Sequence, residues 1–226
     1  MRDNTWTFAN RSDAGRRLGT VVAERLDRAG LEDRPLVLAL PRGGVPVGYE
    51  VARMIGADFD VIVARKIGVP GQPELAIGAV AEDGPPIFNT AMVKRIGLGQ
   101  RDLQRMVQRE RTEVARRLTR YRGDRPRPEV SDRTVIVVDD GLATGATARA
   151  ALAAVRAQGP AHLVFAAPVC ARDSAEGLRS LADAVLCVLV PDQLYAVGLW
   201  YDDFTQVSDE EVERRLPAAR GVDVPR

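Results

Sequence analysis

Residues 135–147, VIVVDDGLATGAT, set two adjacent carboxylates, Asp139 and Asp140, directly behind four β-branched residues. A turn of small and hydroxyl-bearing residues, Gly141-Leu142-Ala143-Thr144-Gly145, follows and opens a helical pattern. Neighbouring carboxylates repel each other and lose hydration at the end of a buried strand, so this arrangement suggests a ligand. A helix N-terminus supplies free backbone N–H groups and partial positive charge, which suits a phosphate. Thr144 and Thr147 add hydroxyl donors, and Gly145 lets the backbone approach closely. Carboxylates beside a phosphate cradle fit a ligand that also has hydroxyls or a Mg²⁺ to bind, and a phosphorylated sugar meets both demands. The loop lacks the lysine of a GxxxxGK[ST] motif, which disfavours nucleoside triphosphate hydrolysis. The plainer alternative is a capped strand–helix turn with a tolerated Asp pair.

The elements that must position these groups follow from apolar periodicity. Residues 12–29 read as a helix, capped by Asp13 or Ser12, with Leu18, Val21, Val22 and Leu26 at helical spacing. LVLAL (36–40) is a short apolar run ending at Pro41-Arg42-Gly43-Gly44, and 46–55 looks helical. FDVIVA (59–64) is a second buried strand ending at Arg65-Lys66, and VIVV (135–138) is a third, with 147–157 as its helix. One or two helices over 90–121, a strand at 162–169, a helix at 174–182 and a strand at 184–190 complete the series. Short apolar strands alternating with helices imply an α/β fold, a mainly parallel sheet flanked by helices. In such a sheet ligands bind beyond the carboxyl ends of the strands. PRGG, ARK and DDGLATGAT all lie at such ends.

Composition narrows the function classes. The 226 residues, 46% apolar, suffice for one substantial core. A formal charge of +1, from 32 basic and 31 acidic residues, gives no global pull towards nucleic acid. Cys170 and Cys187 lack metal-type spacing and read as buried reduced thiols. A single histidine, His162, leaves little for a metal cluster or histidine triad. No stretch approaches 18 apolar residues and the N-terminus has no apolar leader, so a cytoplasmic location is expected.

Residues 135–147 resemble the phosphoribosyl pyrophosphate (PRPP) signature of type I phosphoribosyltransferases, matching without gaps. The chain is most similar to a bacterial group of predicted phosphoribosyltransferases with LPRGGVPV, PELAIGAV and DDGxATGAT. The resemblance covers about 36–207 and implies one phosphoribosyltransferase domain over 1–226, with a hood formed by about 190–207 and the N-terminal segment. It implies that Asp139 and Asp140 bind the ribose hydroxyls, directly or through Mg²⁺, while Ala143, Thr144, Gly145, Ala146 and Thr147 hold the 5′-phosphate. PRGG resembles the pyrophosphate loop of bacterial xanthine phosphoribosyltransferase. This implies a cis Pro41–Arg42 peptide and pyrophosphate contacts from Arg42, Gly43 and Gly44. Arg65 and Lys66, before the Gly/Pro-rich stretch 67–84, resemble the basic anchor and flexible catalytic loop of adenine and orotate phosphoribosyltransferases. An ordered β-excursion, suggested by AIGAVA, is the alternative. Glu74 in that stretch is a candidate general base or simply a solvated side chain.

VPDQLYAVGLWYDDF (190–204) is similar to the base-binding hood of hypoxanthine-guanine phosphoribosyltransferase. The similarity implies acceptor contacts from Tyr195, Val197 and Asp202, with Asp202 joining Asp139 and Asp140 near the metal. Core packing is the rival role for Tyr195. Two departures put a 6-oxopurine acceptor in doubt: Ala143 replaces an aspartate, and Arg172 stands alone where a lysine is needed. The resemblance therefore implies Mg²⁺-dependent transfer from PRPP to a small-molecule acceptor, a nucleobase or related nitrogen heterocycle, with release of pyrophosphate, in a homodimer of nucleotide metabolism without membrane or nucleic-acid partners; a non-nucleobase acceptor is an alternative. The rival is an RNA-binding regulator of the same fold. Residues 94–122 carry ten basic side chains (Lys94, Arg95, Arg101, Arg105, Arg109, Arg111, Arg116, Arg117, Arg120, Arg122) against Asp102, Glu110 and Glu113. A solvated face or a subunit contact is the plain reading of that segment.

Overall fold

The protein is described from a computed structural model over residues 7–31, 34–69 and 71–219, the side chains of 73, 74 and 217–219 excepted. Helix α1 (Arg11–Ala29) buries Leu18, Val22 and Leu26, and ends at Gly30, whose φ of 62° is the left-handed conformation that favours glycine. Its cap is neither Asp13 nor Ser12. Asn10 accepts from the Asp13 N–H at 3.0 Å, because Asp13 is already inside the helix.

Strand β1 (Leu36–Ala39) is buried throughout and leads into α2 (Gly44–Ile55). After β2 (Asp58–Val61), the chain forms β3 (Ala64–Val69), β4 (Gln72–Ala81) and β5 (Ile87–Phe88). Helices α3 (Thr90–Ile96) and α4 (Gln100–Arg122) follow, and then β6 (Thr134–Val138), α5 (Ala146–Arg156) and β7 (His162–Val169). Next come α6 (Arg172–Leu178), β8 (Ala184–Leu189), a 3-10 turn (Val197–Trp200) and α7 (Asp209–Ala219). The main sheet is five-stranded and parallel, ordered β2-β1-β6-β7-β8, as the alternation of strands and helices predicts.

Strand alternation divides the core between the two faces of this sheet. Leu36, Leu38, Val135, Val137, Leu163 and Phe165 pack against Ala148, Leu152 and Val155 of α5. Val37, Ala39, Ile136, Val138 and Val164 instead meet α1, α2, the Val114 and Tyr121 side of α4, and Val212 and Leu216 of α7. A strand of uniformly apolar residues is what a sheet covered on both faces requires.

The segment 67–84 is not a structureless loop. β3 and β4 pair as an antiparallel hairpin and β5 adds a third strand. Ile67, Ile77, Val80 and Val107 form a small core of their own with α3 and α4. Gly78 has a packing role in this ladder: a Cβ there would overlap the Ile87 carbonyl.

Cys170 and Cys187 form a disulfide, with Cα atoms 6.2 Å apart, rather than reduced thiols. Cys170 lies one residue past β7, and Cys187 sits on neighbouring β8 opposite Ala167. That adjacency arises from strand pairing and has no counterpart in sequence spacing. Near the expected hood segment, Phe8 bridges Tyr201 in parallel, and Phe8, Tyr201, Leu194, Val197, Trp200 and Phe204 share one apolar cluster. No helix among the described residues is long and apolar enough to cross a membrane.

Candidate active site

At the carboxyl end of β6 the chain leaves the sheet through Asp139 and Asp140. The Asp140 N–H donates to Asp139 Oδ1 at 2.9 Å. The PRGG loop lies against this turn. The Pro41–Arg42 peptide is cis, as the resemblance implied. A Cβ on Gly43 would overlap Asp140 Oδ2, and one on Gly44 would stand 2.7 Å from the Val138 carbonyl. Both positions therefore need glycine for close approach rather than for an unusual φ.

Asp139 keeps some exposed surface but is enclosed by protein on most sides. Loss of hydration, and then the charge of Asp140, raise its carboxyl well above the ordinary range, partly offset by Lys66. Tyr201 donates its hydroxyl to the Asp140 carbonyl at 2.6 Å. Burial and the Asp140 charge push that phenol up, so it stays protonated as a donor.

Arg11, which the sequence reading did not single out, meets Asp140 from α1. Its Nε donates to Oδ2 at 2.8 Å, and the two side chains are 10% and 17% exposed. Its only sequence signal is a position near the N-terminus, where nothing announces contact with residue 140.

The small-residue turn is held from the next strand. Leu142 donates its N–H to the Val169 carbonyl at 2.8 Å, and Ala171 donates to the Leu142 carbonyl at 2.8 Å. Ser174 Oγ donates to the Ala143 carbonyl at 2.5 Å. Gly145 adopts φ 72° at the start of α5. Ala143 and Thr144 are exposed there, while Ala146 and Thr147 open the helix half-buried.

Thr147 also borders a cleft of about 720 Å³ between β3 and α4, lined in part by Pro41, Arg65, Lys66, Arg109 and Arg117. Arg65 is paired with Glu110 at 3.0 Å and Arg117 with Glu113 at 2.9 Å. Lys66 and Arg109 are exposed. The cleft is thus basic, and α4 supplies two cations that the sequence reading assigned to a helix face. Arg42 stands with its Nη1 3.9 Å from Asp209 Oδ1 at the start of α7, an element not anticipated from sequence. The same Asp209 accepts from the Tyr121 hydroxyl, whose pKa burial and that bond push up to about 12.

The acceptor-side residues are less gathered. Val197 packs onto Gly141, where a Cβ would overlap it. Tyr195 is 84% exposed and donates to Gln193, so it is not core packing. Asp202 accepts from Thr7 Oγ1 at 3.0 Å. Among the described residues no three Asp, Glu, His or Cys side chains are grouped to hold a metal, so Asp202 does not join Asp139 and Asp140 in such a set. Glu74 lies on β4, and its side chain falls outside the described residues. The arginines of α4 are largely engaged within the chain. Arg105, Arg116, Arg117, Arg120 and Arg122 are in ion pairs, and Arg111 donates to the Gly84 carbonyl.

The sequence model described as "Phosphoribosyl transferase domain" matches residues 15–202, the span holding the carboxylate pair, the glycine loop and the basic cleft. The chain belongs to the phosphoribosyl transferase domain family. It is similar to two Mycobacterium tuberculosis proteins, from strains CDC 1551 and H37Rv, each named "Putative phosphoribosyl transferase", at 42% identity over 94% of the chain. The match takes in 47% of each, so this chain spans about half the length of those curated relatives. Its fold is similar to that of TT1426 from Thermus thermophilus, with a TM-score of 0.78 and 42% identity over 93% of this chain and 97% of that one.

Proposed function

We propose that this chain transfers the 5-phosphoribosyl group of PRPP to a small-molecule acceptor, with Mg²⁺, and releases pyrophosphate. The observation that carries the reading is the placement of Asp139 and Asp140 between the Gly43-Gly44 backbone and the open α5 N-terminus. That combination offers hydroxyl recognition and phosphate recognition within one turn of chain. The Thr144–Thr147 backbone and hydroxyls hold the 5′-phosphate, with Ala143 and Gly145 giving it room.

Displacement at the anomeric carbon passes through an oxocarbenium-like state, in which positive charge grows on the sugar and negative charge on the leaving group. Asp139 and Asp140 stabilise the first. Arg42, Arg65, Lys66 and the Gly43-Gly44 N–H groups stabilise the second, and Arg109 and Arg117 extend that basic wall along α4. Asp139 and Asp140 are hard oxygen donors with part of their surface open, which fits Mg²⁺ held by one or two carboxylates together with substrate oxygens. Bound there, the ion supplies charge neutralisation of the pyrophosphate. The acceptor is assigned to the hood side, with Val197, Tyr195 and Asp202 at its border. Glu74 is retained as a candidate base on its place in β4 alone.

An acceptor screen with PRPP and Mg²⁺, scored as pyrophosphate release against a hydrolysis blank, tests the reading. Acceptor-stimulated release that Asp139→Asn and Asp140→Asn each reduce at least tenfold is expected, about 1.4 kcal/mol in barrier. Undiminished release by the folded double variant removes the site assignment.

A further inference from the structure

Arg11 is the side chain best placed to act on the site without touching a substrate. Its Nε donates to Asp140 Oδ2 at 2.8 Å, its Nη1 donates to the Thr205 carbonyl at 2.7 Å, and its guanidinium lies 3.8 Å from the Phe204 ring centroid. Three kinds of interaction thus meet on one planar group: a charged hydrogen bond, a carbonyl contact and a stacked ring. Asp140 is fixed by the same neighbourhood at its main chain, through the Tyr201 hydroxyl. Gly43 closes the other side of Oδ2.

We propose that Arg11 is a positioning residue: it holds Asp140 in its working orientation against repulsion from Asp139, and ties that carboxylate to the hood segment 201–205. The proposal rests on the phosphoribosyl-transfer reading above. Two adjacent carboxylates with no cation between them swing apart towards water, and the one nearer the surface moves more easily. Arg11 holds Oδ2 and leaves Oδ1 without a bond from this guanidinium. Lysine reproduces the charge but neither the fork to Thr205 nor the stacking on Phe204, so Arg11→Lys is not a conservative change here. A groove of about 330 Å³ borders Arg11 on its solvent side, lined by Asn10, Ser12, Asp203, Gln206 and Arg215 among others. A small cation can therefore reach the space that a truncated Arg11 leaves.

The test uses the full chain, with Mg²⁺-PRPP binding followed by calorimetry and folding by thermal melting. Arg11→Ala is expected to weaken PRPP binding about tenfold, the worth of one partly exposed charge-assisted hydrogen bond. Millimolar guanidinium is expected to restore most of that loss, whereas the same concentration of methylammonium is not. Arg11→Met keeps an apolar stem against Phe204 and Tyr201. It should melt close to wild type yet bind PRPP as weakly as Arg11→Ala, which separates positioning from folding. Arg11→Ala binding within twofold of wild type, tighter binding, or a loss that guanidinium leaves untouched would each overturn the proposal. A wild-type chain that binds no PRPP with Mg²⁺ overturns the phosphoribosyl-transfer reading itself. Wild-type binding with unaffected variants overturns only the role of Arg11.

Discussion

Gly43→Ala is the smallest change that should disable the carboxylate pair. Gly43 has φ −61° and ψ −36°, so alanine fits its backbone without strain. The obstacle is Asp140, whose Oδ2 occupies the space of the new methyl group. The carboxylate must retreat, and in doing so it loses the 2.8 Å bond from Arg11. A hydrogen bond to a charged group contributes about 1.5–3 kcal/mol, and partial exposure of Asp140 places the expectation near the lower end. At about 1.4 kcal/mol per tenfold, PRPP binding should weaken roughly 10-fold to 30-fold. Calorimetry with Mg²⁺-PRPP measures that loss, and a melt run alongside should show a shift of only a few degrees, because the side chain relaxes rather than the backbone. Gly56→Ala is the control: φ is 63° and nothing lies within 4 Å of the new Cβ. It should cost about 1 kcal/mol of stability and leave binding unchanged. If Gly43→Ala binds PRPP within twofold of wild type, Asp140 is not placed as argued, and the ligand does not depend on it.

Asp139→Asn should raise the melting temperature of the ligand-free chain at neutral pH, since its carboxyl is raised in the folded state by burial and by Asp140. The sign follows from linkage: the folded state binds the extra proton, so stability is fullest below the unfolded value of about 3.9 and is lost as pH rises through the folded value. The advantage of Asn should therefore shrink in acid, and a pH series of melts that shows it growing there refutes the burial argument. Arg122→Met should destabilise the fold by up to about 3–5 kcal/mol, because it removes the guanidinium that meets buried Glu82 at 2.6 Å and buried Asp60 at 3.2 Å. Urea titration measures this, and a loss under about 1 kcal/mol sinks it. Lys66→Gln combined with Arg109→Gln should weaken inorganic pyrophosphate binding at least tenfold and flatten its salt dependence, with the melting temperature unchanged. Unaltered pyrophosphate affinity would remove the β3–α4 cleft from the leaving-group side.

Much of the fold is local in origin and was legible in one dimension. Apolar runs at 36–40, 135–138, 162–169 and 184–190 became strands within a residue or two, because burial on both faces of a parallel sheet admits little else. The acidic pair and the Gly145 turn were equally readable, since their chemistry lies in consecutive residues. Three features depended on contacts between distant segments. The hairpin 64–81 looks like a loop in sequence because composition cannot tell a glycine such as Gly78, which serves close strand packing, from one that gives flexibility. Cys170 and Cys187 are joined only because β7 and β8 are neighbours. Arg11 meets Asp140 across 129 positions, through packing of α1 beside the hood, so no local pattern announces it. Sequence by itself determined where an acidic pair and a small-residue turn stand between a strand and a helix, because propensity and motif act over a few residues. Tertiary structure decided which cations face those groups and from which elements, because charge pairing is settled by distance in space rather than along the chain.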